Sequence, residues 1–272
     1  MTGFSNLPLK DDNHLVMWSE TVCYEQPMNE LIRACLRLEH LFAKALQGIH
    51  GSSIWDSRSA LSAIINIGSI LERSDLRGKL SKELRRYSDS LSKYLLIQQV
   101  DLTALKAVLS QLETLYEELN TSERKIGQNL RNNEFLGNIR QYLFNPGGAC
   151  SFDVPAYHAW LQQPVAQRSN DLTGWLKDFD TLRACVSLLL QLTRDSSLPI
   201  LKFAPAGFFQ EAIDPQVTCQ MIRVIIPYTV QAYPEISAGK HRINIRFYQA
   251  STIMRAAQAA GDISFKLTCC II

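Results

Sequence analysis

Residues 24–42 read YEQPMNELIRACLRLEHLF and contain the change from an extended segment to a helix around which the chain is organised. Pro27 suits the first turn of a helix because its missing N–H needs no partner there, and Glu30 suits the positive end of the helix dipole. Apolar residues then recur every three or four positions, as on the buried face of an amphipathic helix. This apolar set comprises Met28, Leu31, Ile32, Cys35, Leu38, Phe42 and Ala45. The stretch predicts a helix that runs to about Ile49.

A second face of this predicted helix is basic. Arg33, Arg37 and Lys44 share it, with His40 between them. A run of charges on a helix is usually a solvated surface, and the helix taken alone favours that interpretation. The alternative is an anion-binding surface, and the choice between the two depends on the rest of the chain.

The composition is that of an ordinary globular protein. The chain has 272 residues, of which 46% are hydrophobic and 20% charged, and its net charge is +2. No apolar run approaches the roughly 18 residues needed to cross a bilayer. The polar first 14 residues do not resemble a signal peptide, so we expect a cytoplasmic protein without membrane insertion. A net charge near zero also argues against nucleic acid as a partner, and any basic function must come from local clusters.

The seven cysteines form no Cys-x-x-Cys pair and no zinc-like spacing, so we expect neither a metal site nor a cofactor. Cys35, Cys185 and Cys219 lie in apolar patterns and are predicted to be small core residues. The terminal residues 269–272, CCII, have the spacing of a prenylation box. The preceding run favours a different interpretation, in which the cysteines finish a strand.

Helical patterns dominate the middle of the chain. After the first helix, the predicted helices lie at about 56–73, 76–94, 101–119, 135–143, 157–161, 165–179 and 182–192. Asp101 is expected to cap the fourth helix, whose apolar seam fits either a coiled coil or a bundle and is short enough to favour a bundle core. Residues 125–133 are predicted to be a polar connection, and Pro146-Gly147-Gly148 a tight turn.

From Pro199 the pattern changes to short β-type runs separated by turn residues. The predicted strands lie at 200–203, 217–226, 228–233, 242–248 and 263–269. Residues 15–25 have similar composition and no strand near them in sequence, so we expect them to pair with these C-terminal strands. The predicted fold class is therefore α+β. A mainly helical domain (27–198) is inserted into a smaller antiparallel β domain (15–26 and 199–272), and residues 1–14 form a disordered extension.

The predicted strand around residues 240–247, KHRINIRF, is two-faced. Alternation places Ile243, Ile245 and Phe247 on one face and Arg242, Asn244 and Arg246 on the other. The two arginines are then about 13 Å apart, a distance that matches several residues of an extended peptide. Lys240 and His241 lengthen the basic stripe. The pattern fits a binding face and equally an exposed face that prevents aggregation.

No catalytic motif is present in the sequence. It lacks the Gly-x-Ser-x-Gly, His-Glu-x-x-His, Gly-x-Gly-x-x-Gly and Walker patterns. Asp153 and His158 could lie close together, but such a pair at a helix start is more often a cap and a surface group. We therefore predict a binding protein and no enzyme. A nucleic-acid-binding protein with a basic cleft is the alternative, and the net charge counts against it.

Several stretches of the chain recur together in one family. They are YEQPMNE (24–30), LRLE (36–39), IGQ (126–128), LR (130–131), PGGACSFDVP (146–155), HAWL (158–161), GFFQ (207–210), YPEIS (233–237), RINIRF (242–247) and the terminal CC (269–270). On these stretches the chain resembles the ZapD family of bacterial cell-division proteins. The resemblance covers nearly the whole chain from about Thr21, and the Pro-Gly-Gly segment is its most specific part.

The resemblance implies a two-domain homodimer that binds the C-terminal tail of the tubulin-like protein FtsZ. Such a protein cross-links FtsZ filaments in the division ring at mid-cell. The family's tail-binding groups fall here on Arg33, Arg37, His158, Arg242 and Arg246, and Arg131 and Arg140 lie in matching basic stretches. Glu134 stands where the family pattern has an arginine. The expectation is that these groups meet in one groove at the junction of the two domains.

Overall fold

The computed structural model describes residues 20–73, 75–97, 101–121, 126–214, 216–239, 241–249 and 257–271. The predicted extension at residues 1–14, and residues 15–19 of the predicted first strand, lie outside the described residues. The chain divides into two compact units. One unit combines the chain up to Asn29 with the chain from Thr193 onward, and the other spans Glu30–Leu192. The α+β fold class is confirmed, since helices fill the second unit and the first contains two antiparallel sheets.

The helical unit is a set of helices with short connections. The helices are α1 (Glu30–His50), α2 (Ile54–Arg73), α3 (Leu76–Ser92), α4 (Leu102–Thr121), α5 (Gln128–Arg131), α6 (Glu134–Leu143), α7 (Pro155–Leu161), α8 (Val165–Lys177) and α9 (Asp180–Asp195). A 3-10 turn, Lys93–Leu96, continues α3. Helix α1 packs against α2, α8 contacts both, and α3 packs against α4. No helix in the described ranges is both long enough and apolar enough to cross a bilayer.

Helix α1 follows its sequence pattern closely. Ile32, Cys35, Leu38, Phe42 and Ala45 are buried, which confirms the predicted apolar face. Leu31 is only half-buried, and Met28 precedes the helix and packs against the core of the β unit instead. Gly48 ends the buried face, and a Cβ placed there would lie 2.5 Å from the Asp56 carbonyl oxygen of α2. Only glycine therefore allows the close approach of α1 and α2 at this point.

Helix α4 confirms the predicted cap and the predicted bundle core. The Asp101 carboxylate accepts hydrogen bonds from the backbone N–H groups of Thr103 and Ala104. Of the predicted seam, Leu105, Leu112 and Leu119 of α4 are buried, as is Leu115 beside it, whereas Leu102 is exposed. A seam that is buried within one chain is the core of a helical bundle.

The polar connection predicted at residues 125–133 was wrong in part. Residues 128–131 form the one-turn helix α5. Asp178 fixes this turn, because its carboxylate accepts a 2.8 Å hydrogen bond from the Asn129 amide and a longer one, 3.4 Å, from the backbone N–H of Leu130. The anchor comes from a residue far along the chain, so local sequence could not reveal it.

The β unit contains two antiparallel sheets. Its strands are β1 (Thr21–Pro27), β2 (Ile200–Ala204), β3 (Phe208–Ala212), β4 (Cys219–Pro227), β5 (Ala232–Ala238), β6 (Arg242–Gln249) and β7 (Ile263–Ile271). The four-stranded sheet has the order β1-β4-β7-β2, and the three-stranded sheet has the order β3-β6-β5. Strand β1 pairs with β4, with Tyr24 opposite Val224. The expected pairing of the N-terminal strand with the C-terminal strands is confirmed.

The two sheets share one apolar core. Ile222, Val224 and Ile226 of β4 meet Ile243, Ile245 and Phe247 of β6 in a single buried cluster. The rings of Phe247 and Phe265 lie 5.2 Å apart within it. Burial of one face of β6 leaves its other face as the outer surface of the three-stranded sheet.

The structure corrects two points of the predicted strand order and confirms a third. The strand predicted at residues 228–233 was wrong, because Tyr228 is exposed in a turn closed by a hydrogen bond from the Val230 N–H to the Pro227 carbonyl, and β5 begins only at Ala232. Strand β3 was missed. The strand interpretation of the terminal cysteines is confirmed, since β7 includes Cys269 and Cys270 and pairs with strands on both sides.

Candidate functional site

Strand β6 has the two faces that its alternation predicts. Ile243, Ile245 and Phe247 are buried, whereas Arg242 and Arg246 are exposed. Because β6 is the central strand of its sheet, residues of both neighbouring strands flank its outward side chains. The site therefore includes residues from all three strands of this sheet.

The register defines which residues flank Arg246. Phe208 of β3 lies opposite it on one side and Glu235 of β5 on the other. Residues directly opposite each other in an antiparallel ladder point to the same face. The guanidinium carbon of Arg246 lies 5.7 Å from the centre of the Phe208 ring, a cation–π distance. The aromatic ring therefore holds the guanidinium in place and leaves its positive charge available.

Polar uncharged groups occupy the middle of the same face. Gln210 of β3 and Ser237 of β5 lie opposite Asn244. Amide and hydroxyl groups both donate and accept hydrogen bonds, so this part of the face can pair with the backbone of a bound peptide.

Arg242 lies at the far end of the strand from Arg246. Its neighbour on β3 is Ala212, which carries no charge. Among the described residues, Arg242 has no carboxylate within ion-pair distance. It is the group on this face that is most available to an external anion.

These side chains line a groove of about 650 Å³. Its lining comprises Gln26, Phe208, Gln210, Glu235, Ile236, Ser237, Arg242, Asn244 and Arg246. A volume of this size is within the range of pockets that hold a compact ligand or a few residues of a peptide. Two guanidinium groups outnumber the single carboxylate of Glu235, so the groove favours an acidic ligand. We name it the β6 groove.

Sequence reasoning missed most of the lining of the β6 groove. Phe208 and Gln210 belong to the missed strand β3, and Glu235 and Ser237 belong to β5, which was placed several residues too early. The polar and apolar residues that alternate from Glu235 to Ala238 are the sequence signal that could have placed this strand correctly. Gln26 reaches the groove from β1, which belongs to the four-stranded sheet and contacts β5 of the three-stranded sheet.

In the helical unit, Arg33 and Arg37 have different environments. Arg33 is half-buried and forms an ion pair with Glu30, one turn before it on α1. Arg37 is exposed and has no ion-pair partner among the described residues. His158, on the short helix α7, is also exposed. Arg37 and His158 are thus accessible to a ligand, whereas Arg33 is partly neutralised.

Arg131 and Arg140 are both engaged by Glu72 of α2. Arg140 donates two hydrogen bonds to this carboxylate, at 2.7 and 2.5 Å, and Arg131 lies 3.8 Å from it. Hydrogen bonding to Glu72 raises the pKa of Arg140. A ligand carboxylate would have to displace Glu72 to bind either arginine, so these two are weaker candidates than Arg242.

Glu134 and Lys240 complete the predicted set. Glu134 lies exposed in the first turn of α6, where a negative charge stabilises the positive end of the helix dipole. Lys240 lies outside the described residues, and His241 is exposed just before β6. In the part of the chain that the structure describes, no group of three His, Cys, Asp or Glu side chains is arranged to hold a metal ion.

Comparison with known proteins gives a consistent match. The family model described as "ZapD: Cell division protein" matches residues 36–246. A relative named "Cell division protein ZapD" from Coxiella burnetii (strain RSA 331 / Henzerling II) is 40% identical over 258 residues, which cover 94% of this chain and 100% of the relative. Relatives of the same name are 36% identical in Methylococcus capsulatus and 37% identical in Azoarcus sp. (strain BH72), each over 92% of this chain and at least 98% of the relative.

Proposed function

Because the chain belongs to the ZapD family of cell division proteins, we propose that it binds the C-terminal tail of FtsZ and cross-links FtsZ filaments. In this proposal it acts as a homodimer in the cytoplasm, at the division ring at mid-cell, and it promotes assembly and stability of the ring. Family membership supports the role in division. The β6 groove supports the choice of an acidic peptide as the ligand.

The observation that carries the proposal is the pair of arginines on the outer face of β6. Their exposed guanidinium groups are separated by four residues of strand, about 13 Å. An extended peptide with carboxylates four residues apart matches this spacing. Arginine suits the task because its planar fork donates two parallel hydrogen bonds to one carboxylate.

The remaining groups of the groove supply the contacts that a charged pair alone lacks. Phe208 offers apolar surface beside Arg246, and Asn244 offers a donor and an acceptor between the two arginines. Glu235 repels a ligand carboxylate placed near it, so it selects the direction and register of an acidic tail. The groove thus accepts a mixed acidic and apolar segment better than a uniform polyanion.

Cross-linking follows from having two such sites in one particle. A single shallow groove binds weakly, because ordering a flexible peptide costs conformational entropy. A homodimer with two grooves gains affinity when its second site binds another tail at high effective concentration. Tails on neighbouring filaments are then held together.

The first test reverses the charge of the groove. Arg242→Glu is expected to weaken binding of a labelled FtsZ tail peptide by about tenfold to a hundredfold, because a charge-assisted hydrogen bond contributes about 1.5–3 kcal/mol. Fluorescence anisotropy measures the peptide, and co-sedimentation with FtsZ, with and without its tail, measures bundling. The matched control is Lys106→Glu, the same charge reversal at an exposed position of α4.

Undiminished tail binding and bundling by a folded Arg242→Glu protein would refute the groove as the binding site. Tail-dependent bundling that both charge reversals weaken equally would also count against it, since the effect would then reflect net charge alone. Tight binding of random-sequence DNA at physiological salt, lost in Arg242→Glu, would favour the nucleic-acid alternative.

The basic stripe of α1 is included in the proposal and tested separately. Arg37→Glu is the informative variant, because Arg37 is exposed and Arg33 already pairs with Glu30. We propose that His158, Arg131 and Arg140 make smaller contributions. A double-mutant cycle between Arg37→Glu and Arg242→Glu measures whether the two residues act on one bound tail, since independent residues give additive changes in binding free energy.

A further inference from the structure

Two cysteines from neighbouring strands of the four-stranded sheet touch each other. The Sγ atoms of Cys219 on β4 and Cys269 on β7 lie 3.2 Å apart, and both residues are free thiols. Strands β4 and β7 pair directly and are antiparallel. The contact therefore joins two residues that are 50 positions apart in sequence.

An irregularity in the ladder creates this contact. The register pairs Cys219 with Ile271 and Ile222 with Cys269, and it shifts between Cys219 and Met221. In a regular ladder, diagonal neighbours lie farther apart than direct ones. The bulge turns the Cys219 side chain toward Cys269. The sulfur atoms need to approach by only about 1 Å to reach the length of a disulfide bond.

Access and acidity distinguish this pair from the other core thiols. Cys219 and Cys269 are half-buried, and Cys219 lines a surface cavity of about 320 Å³. The hydrogen bond between the two sulfur atoms lowers the pKa of Cys269 and raises that of Cys219. Burial instead raises the pKa of Cys35 and of Cys185 to about 12, and that of Cys270 to about 11. Cys269 is therefore more reactive than these three buried thiols.

We propose that Cys219 and Cys269 form a redox modification site, at which a peroxide converts the thiol pair into an intramolecular disulfide and a small thiol restores it.

The chemistry of this site balances in two steps. The Cys269 thiolate attacks one oxygen of hydrogen peroxide and becomes a sulfenic acid, and hydroxide leaves with the electron pair of the broken O–O bond. Cys219 then attacks the Cys269 sulfur, its thiol proton goes to the departing hydroxide, and water is released. The two sulfur atoms together lose two electrons and the peroxide gains them. A dithiol reductant reverses the reaction by thiol–disulfide exchange.

The disulfide would restrain the end of β4 that is hydrogen-bonded to the segment following β1. Gln220, next to Cys219, accepts a hydrogen bond from the Met28 backbone N–H at 2.9 Å, and its side chain accepts one from the Asn29 amide at 2.6 Å. Met28 and Asn29 immediately precede α1. A covalent link at Cys219 therefore restrains the strand to which Met28 and Asn29 are hydrogen-bonded. It also closes a long loop in the unfolded chain.

The test uses the full chain, reduced and then treated with a small excess of hydrogen peroxide. Intact mass spectrometry is expected to show that the treated chain is about 2 Da lighter than the reduced chain, because a disulfide lacks two hydrogens. After alkylation under denaturing conditions, the treated chain is expected to carry two fewer alkyl groups than the reduced chain, because a disulfide cannot be alkylated. Trypsin cleaves after Arg223 and Lys266, so the linked peptide contains both Cys269 and Cys270. Fragmentation, together with the Cys270→Ser variant, identifies the sulfur involved.

The variants decide the outcome. Cys219→Ser and Cys269→Ser are expected to abolish the loss of mass, whereas Cys270→Ser and Cys150→Ser keep it. Oxidation is expected to raise the thermal midpoint of the unmodified chain by several degrees and to leave that of Cys219→Ser unchanged. Cys219→Ala serves where the serine variant does not fold. An oxidised chain without a Cys219–Cys269 link, or a loss of mass that persists in Cys219→Ser, would overturn the proposal.

Discussion

At the scale of single residues, Glu25 organises the polar side of the four-stranded sheet. Its carboxylate accepts hydrogen bonds from Arg194 at 2.9 and 2.8 Å and from Arg223 at 3.0 Å. Arg223 lies opposite it in the β1–β4 ladder, and Arg194 lies in the last turn of α9. Burial opposes ionisation of this carboxyl, but the two guanidinium groups outweigh burial and hold the pKa of Glu25 below its ordinary value.

Glu25→Gln is therefore expected to lower the free energy of unfolding at pH 7 by about 1–3 kcal/mol, because two guanidinium groups lose their charged partner. A carboxyl whose pKa is depressed in the folded state stabilises the protein above its unfolded pKa of about 4.3. That contribution is lost as pH falls through the lower folded value. Urea denaturation at pH 7, 5 and 3.5 should show the difference between the two proteins shrinking only below about pH 4.3.

The control for this prediction is Glu20→Gln, which removes an exposed glutamate of the same unit. It is expected to change the free energy of unfolding by no more than about 0.5 kcal/mol at any of these pH values. A stability difference for Glu25→Gln that is constant from pH 7 to pH 3.5 would contradict the assigned ionisation.

At the scale of elements, one face of β6 packs into the core and the other is the face that we propose binds the ligand. Ile245 is completely buried in the shared core, whereas Asn244, its neighbour in sequence, lines the groove. Because successive residues of a strand point to opposite sides, substitutions at these adjacent positions test different properties.

We expect Ile245→Ala to lower the free energy of unfolding by about 2–4 kcal/mol through loss of buried volume. Asn244→Ala is expected to change it by no more than about 1 kcal/mol and to weaken binding of the FtsZ tail severalfold. Urea denaturation and peptide anisotropy measure the two effects on the same preparations. If Ile245→Ala weakened binding without loss of stability, the two faces of β6 would be assigned the wrong way round.

At the scale of the whole molecule, the proposed cross-linking requires two working grooves in one dimer. A dimer that combines one native chain with one Arg242→Glu/Arg246→Glu chain should bind a filament but not join two. When the proteins are mixed and allowed to exchange subunits, bundling should fall with the square of the native fraction. An equal mixture would then keep about one quarter of the bundling rather than half.

Light scattering of FtsZ polymers, measured at constant total protein, checks this dependence. The control mixture contains the native chain and Lys106→Glu, and it should keep its full scattering at every ratio. A linear decrease with the variant chain would mean that each chain acts alone, and it would contradict cross-linking by a dimer.

The local pattern of the sequence predicted those elements whose residues carry their own periodicity. The apolar face of α1 and the alternation of residues 243–247 were correct because helix and strand geometry fix which side chains share a face. The errors occurred where distant residues decide the structure. Asp178 holds the short helix α5, and pairing with β6 makes residues 208–212 a strand.

The sequence by itself determined the fold class, the order of most elements and the two-faced character of β6, because each depends on the spacing of apolar and charged residues along the chain. Only the tertiary structure decided which charges are available. Glu72 engages Arg131 and Arg140, whereas Arg242 lies opposite an alanine, and the ladder register places Phe208 and Glu235 beside Arg246. These neighbours come from distant parts of the chain, and the energy of a charge depends on the groups that surround it in space.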